Sequence, residues 1–228
     1  FTLKQGTLPL LISIPHAGTH IPDDIAATMT ADARFVDDCD WHLERLYGFA
    51  AQLGASILVP SHARYVVDLN RPPDNENLYP GQDTTGLVPV DTFDKAPLYR
   101  ADTLPGSDEI MRRRDRYWRP YHDALQREVA RLKREHGRVL VWEAHSIRSH
   151  IPHLFDGELP QFNIGSAGPG GEPERGLDRL GDALLGVRYC RCHCGEESGA
   201  HDRFLSWTHH EPKWPAPGIP GFRCRDLP

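Results

Sequence analysis

The sequence predicts an α/β domain built on a mostly parallel, mixed sheet flanked by helices. Short branched-aliphatic runs bounded by turn residues recur along the chain, and segments with helical spacing of apolar residues separate them. Two of these runs also end alike, "LLISIPH" on His16 and "VLVWEAH" on His145.

Residues 8–14, "LPLLISI", read as a buried strand. An amphipathic helix is expected over 32–53, where Phe35, Cys39, Leu43, Leu46, Ala50 and Leu53 recur at steps of three and four and Gly54 supplies a stop. "ASILVP" (55–60) and "RYVVDL" (64–69) are two further strand candidates. From Arg71 to about Gly106 the chain is rich in Pro, Asp, Asn and Gly, an irregular excursion of a length that usually carries function or is disordered.

Ser107 reads as an N-cap, with Asp108 and Glu109 in the first turn where the helix dipole favours acids. Trp118, Tyr121, Leu125, Val129 and Leu132 form the stripe of a long helix, which Pro120 should kink near Tyr117–Arg119. Gly137 ends it, and "RVLVWEAH" (138–145) is the clearest buried strand. Beyond about residue 188 neither period is sustained, and no element is assigned there. The expected division is a domain over 1–188 and an atypical segment over 189–228.

At 228 residues the chain suits one domain. A formal net charge of -6 disfavours general nucleic-acid binding. No apolar run approaches the roughly 18 residues of a membrane span, and the N-terminus lacks the pattern of a signal peptide. The sequence opens on Phe1 and is read as beginning inside a longer product. Cys39 stands alone and Cys190, Cys192, Cys194 and Cys224 cluster late, so no disulfide framework is indicated and a cytoplasmic location is expected. "CRCHC" lacks the usual ligand spacing of a structural zinc tract. Nothing in the sequence fixes an oligomeric state.

In open α/β sheets ligands bind where the chain leaves the carboxyl ends of the strands. If the strands before His16 and His145 are parallel neighbours, both imidazoles share one rim. A third ligand is available from the first helix: Asp40 borders its apolar stripe, and Asp38 is the alternative. Acids there also suit the helix dipole, with no metal involved. Two His and one carboxylate form a catalytic zinc pattern, although the set could hold other divalent ions. Glu143 lies on the same strand face as His145, placed to orient a ligand, to handle protons, or to face solvent. "RYVVDLNRPP" runs into Asp68, Asn70 and Arg71, while Arg100 in "PLYR" and Arg148 in "HSIRS" add guanidinium groups. Taken singly these are common surface residues; converging, they suit an acidic ligand.

Together these stretches resemble the N-formylglutamate amidohydrolase (deformylase) family of histidine degradation. The resemblance rests on "ISIPHAGTHIP", "DCDWHLERLYGFAAQLGAS", "RYVVDLNRPP", "LYPGQDTTGLVP", "PLYR", "YWRPYHDAL" and "WEAHSIRSHIPHLFDGELPQFNIG", in family order from about 12 to 165. It implies a fold like that of zinc-dependent exopeptidases and muramoyl-alanine amidases. It also implies hydrolysis of N-formyl-L-glutamate, a small acidic N-acyl amino acid, to formate and L-glutamate. His16, His145 and Asp40 match the metal ligands, with Zn2+ or another divalent metal as cofactor. Asn70 and Arg71, and more weakly Arg100 and Arg148, match substrate-carboxylate binding, and a carboxylate shuttles the proton. Glu143 is the candidate for that role by its place beside His145, whereas analogy with the related amidases gives the acid/base role to a Glu on a C-terminal strand.

Two departures stand out. "SAGPGGEPERG" follows "FNIG" where a Thr/Asp/Gly-containing loop is usual, and no counterpart of the family's C-terminal Glu-bearing strand is recognised from Tyr189 onward. Residues 189–228 are therefore read as frameshifted, truncated or disordered. Two alternatives follow: a catalytically impaired family member, or an amidohydrolase for another N-acyl amino acid.

Overall fold

The computed structural model describes residues 1–74, 85–150 and 157–158, together with the backbone of two strands at 163–167 and 187–193. Six strands form one sheet: β1 (Thr2–Lys4), β2 (Leu10–Ser13), β3 (Ser56–Val59), β4 (Val139–His145), β5 (Asn163–Ala167) and β6 (Val187–His193). Their order is β1-β3-β2-β4-β6-β5. The inner pairs β2–β3, β2–β4 and β4–β6 are parallel, and β1 and β5 add antiparallel edges. The expected mixed, mostly parallel α/β sheet is therefore present.

The helices are α1 (Asp23–Ala26), α2 (Leu43–Leu46), α3 (Gly48–Leu53), α4 (Ser107–Arg113) and α5 (Arg119–His136). None is long and apolar enough to cross a membrane among the described residues. Alternation along β2 and β4 feeds two cores. Leu11, Val139 and Val141 pack with Tyr121, Leu125, Val129 and Leu132 of α5. Ile12 and Ala144 pack with Leu43, Tyr47 and Ala50 on the opposite face. Each fully buried leucine contributes about 1.5–3 kcal/mol by leaving water.

The expected helix over 32–53 is broken. A 3₁₀ turn at Asp32–Phe35 ends at Val36, and α2 begins only after His42, both of which have left-handed backbone (φ 47 and 65). The phase of the apolar stripe is lost, leaving Phe35 and Leu53 exposed. Between the breaks the Asp40 N–H, which a continuous helix would use up internally, makes a long-range contact by donating to the His16 carbonyl at 3.0 Å. Gly54, with φ of 97°, stops α3 as expected.

"RYVVDL" is not a strand but a run of buried turns. Its apolar residues split between clusters, Tyr65 and Val66 in one and Val67 and Leu69 in another, so no single sheet face claims them. Ser107 is the first helical residue, and Gly106 occupies the cap position. The kink expected at Pro120 takes the form of a π turn, Arg114–Trp118, between α4 and α5. No element is expected beyond about 188, yet β6 spans Val187–His193 and pairs with β4 from Val139 to His145. The rest of the 189–228 segment, and residues 75–84 of the long excursion, lie outside the described residues.

Candidate metal centre

Parallel pairing sets the site. Ser13 of β2 is opposite Glu143 of β4, so the chain leaving β2 delivers His16 to the rim where β4 ends on His145. Their ring centroids are 4.8 Å apart. Gly18 allows this exit to lie against the backbone of His62, inside which a Cβ would fall. The Cys39 thiol donates to the His16 carbonyl at 3.2 Å and fastens the same turn. Burial, then the charge of Asp40, pushes that thiol up to about 12, so it is held as a neutral donor.

Asp40 is the third member. Its Oδ2 lies 3.0 Å from His145 Nδ1 and 3.7 Å from His16 Nδ1. His16, Asp40 and His145 are all buried and could hold a metal ion, with their donor atoms within 4.8 Å of one another. Asp38 is turned away: its Oδ2 accepts the Phe93 N–H at 2.9 Å, and burial raises its pKa despite the nearby Arg64.

A carboxylate backs each ring on its far side. Asp68 Oδ1 accepts the His16 Nε2 proton at 2.8 Å, and Asp68 Oδ2 takes an N–H of Arg64 at 2.7 Å. Glu143 Oε1 lies 2.7 Å from His145 Nε2. Outer carboxylates of this kind orient imidazoles around a metal, and here they leave the Nδ1 atoms on the side of Asp40. Burial would push Asp68 up, but Arg64, His16 and Arg71 hold it well below the usual carboxylate range. Burial pulls His16 down in spite of Asp68, favouring the neutral ring. For His145 burial is outweighed by the hydrogen bonds that Asp40 and Glu143 accept from its ring, and its pKa is raised. Two buried imidazoles and a carboxylate, each imidazole with its own acceptor, fit a divalent ion of the zinc type.

The other candidates are placed as follows. Asn70 Nδ2 lies 3.4 Å from His145 Nε2, so this side chain joins the centre. Arg71, beside it, donates through Nε to the Thr85 carbonyl at 2.9 Å and through Nη2 to Thr85 Oγ1 at 3.2 Å. Arg148 pairs through Nη1 with Asp94 at 2.7 Å, and its buried Nη2 has no hydrogen-bond partner among the described residues. Arg100 is exposed and donates to the Ala27 carbonyl near α1, with no described contact to the centre. Sequence reasoning gave no role to Asp68 or Arg64. The available signal was their i,i+4 spacing inside an otherwise apolar run.

The family model described as N-formylglutamate amidohydrolase matches residues 8–202. Two curated relatives described as N-formylglutamate deformylase, from Pseudomonas aeruginosa and Pseudomonas putida, are 52% and 50% identical over 165 residues, 72% of this chain. The matches cover 62% and 61% of those relatives, so the chain spans about three-fifths of their length. An N-formylglutamate amidohydrolase from Ralstonia eutropha JMP134 superposes with a TM-score of 0.66 at 25% identity, covering 85% of this chain and 84% of that one. A gene product of Agrobacterium tumefaciens gives 0.63 at 16% identity, covering 85% and 83%, and speaks to the fold alone.

Proposed function

Because the chain belongs to the N-formylglutamate amidohydrolase family, we propose that it hydrolyses N-formyl-L-glutamate to formate and L-glutamate in a metal-dependent reaction. The observation that carries this reading is the buried His16–Asp40–His145 set, with Asp68 and Glu143 on the outer nitrogens of its two rings. Zinc or another divalent ion held there would supply polarisation of the formyl carbonyl and activation of water.

The chain's own residues do the rest. Asn70 and Arg71, on the segment that borders His145, are proposed to bind a substrate carboxylate. Arg148 adds a guanidinium whose buried Nη2 has no partner among the described residues, which suits it to a second carboxylate oxygen. Arg100 is the outlying member of this group. Glu143 is buried at the same rim and is proposed to carry the proton from water to the departing amine. The water oxygen joins the formyl carbon, the C–N bond breaks, and that proton completes the amino group of L-glutamate. A place in histidine degradation is proposed from the family resemblance, and a cytoplasmic location from the absence of a disulfide framework in the sequence.

The test is a formate-release assay on N-formyl-L-glutamate, with and without chelator, beside His16→Ala and His145→Ala. Turnover lost in all three treatments supports the reading. Chelator-insensitive turnover defeats the metal mechanism, and turnover only on other N-acyl amino acids reassigns the substrate.

A further inference from the structure

The stretch "YWRPYH" (117–122) supplies no ligand to the metal centre, yet two of its side chains reach the segment that borders it. Trp118 Nε1 donates to the Arg71 carbonyl at 2.9 Å, and His122 Nε2 donates to the Leu69 carbonyl at 2.9 Å. These carbonyls flank Asn70. The two rings, one helical turn apart, are stacked with centroids 3.7 Å apart at 21°. From the other side, the Asn70 N–H donates to Asp68 Oδ1 at 2.9 Å and the Arg71 N–H to the Asp68 carbonyl at 3.2 Å. Residues 68–71 are therefore gripped from both sides.

We infer that Trp118 and His122 are positioning residues that clamp the 69–71 loop and so fix Asn70 and Arg71 toward substrate. This rests on the reading above that Asn70 and Arg71 bind a substrate carboxylate. The carbonyl acceptor at Leu69 requires the His122 proton on Nε2. The π turn explains how one helical rod does two jobs. It shifts the helix phase by roughly 100°, the angle of one inserted residue. Arg113, before it, can stay buried with Nη1 on Tyr99 Oη at 2.7 Å, while Trp118, its last residue, and His122, one turn further on, face the loop. Pro120, which lacks an N–H, falls just past the point where the α ladder is already interrupted.

The test uses His122→Phe, which keeps a stacking ring without a donor, His122→Gln, which restores an N–H, and Trp118→Phe. His122→Phe is expected to raise KM for N-formyl-L-glutamate about 10-fold or more, with kcat within about 3-fold and metal content unchanged. His122→Gln should recover most of that loss. In the same proteins, amide exchange in peptides covering 66–73 should accelerate in both Phe variants while β4 keeps wild-type rates. Unchanged KM and exchange, a fall in kcat alone, or acceleration spread equally into β4 would overturn the clamp. If the unmutated chain releases no formate, the proposed activity fails and the exchange comparison alone decides the clamp.

Discussion

Asp68 joins His16 to Arg64: one oxygen accepts the imidazole Nε2 proton at 2.8 Å and the other a guanidinium N–H at 2.7 Å. Asp68→Asn keeps the shape but not the charge, and is expected to weaken metal binding about 10–100-fold, read by competition with a chromophoric chelator. Asp68→Ala also strands a buried guanidinium, and should cost about 3–5 kcal/mol in urea unfolding of the metal-free chain.

Asp40 and Asp38 are two residues apart and both buried, but only Asp40 Oδ2 faces the imidazoles. Asp40→Ala is expected to lose the bound ion on dialysis. Asp38→Ala should keep it, since that carboxylate holds the Phe93 N–H. Metal analysis of the two dialysed variants checks the assignment, and the reverse pattern would make Asp38 the ligand.

Glu143→Gln separates two jobs for one carboxylate. With metal saturating, kcat is expected to fall about 10²-fold or more if Glu143 moves the proton. Full recovery on adding metal would show that it only holds His145, with which it shares a 2.7 Å contact.

His122 gives the fold a pH dependence. Its pKa is pushed down to about 4, first by burial, against smaller upward pulls from the Leu69 carbonyl and Glu143. Between about 4 and the ordinary 6.5 the unfolded chain therefore binds the proton better than the folded one. Stability from the neutral ring is fully present above pH 6.5 and drains as pH falls toward about 4, by up to ~3 kcal/mol. Urea titrations of the metal-free chain against His122→Phe should show this slope only where His122 is present.

The His16–His145 pairing was legible because it depends on a regular feature, two aliphatic runs of like length leaving one end of a parallel sheet. Asp40 was legible only as a candidate. The spacing that put it beside a helical stripe belongs to a helix that does not form, because left-handed Val36 and His42 interrupt it. "RYVVDL" misled in the same way: six residues with strand composition are turns whose apolar members serve different cores. Asp68 carries only a faint local mark, its i,i+4 spacing from Arg64. Its importance comes from His16, 52 positions earlier, and such a contact is written in topology rather than in periodicity.

Residues 68 to 70 also touch both histidines, Asp68 at His16 and Asn70 at His145. The distance between those two contacts is set by the span of three consecutive residues, a length that side-chain changes cannot adjust. Inserting or deleting one residue here would misalign both imidazoles together, whereas a substitution at 68 or 70 disturbs one. Chains that keep this centre should therefore differ in this stretch by replacement and not by length.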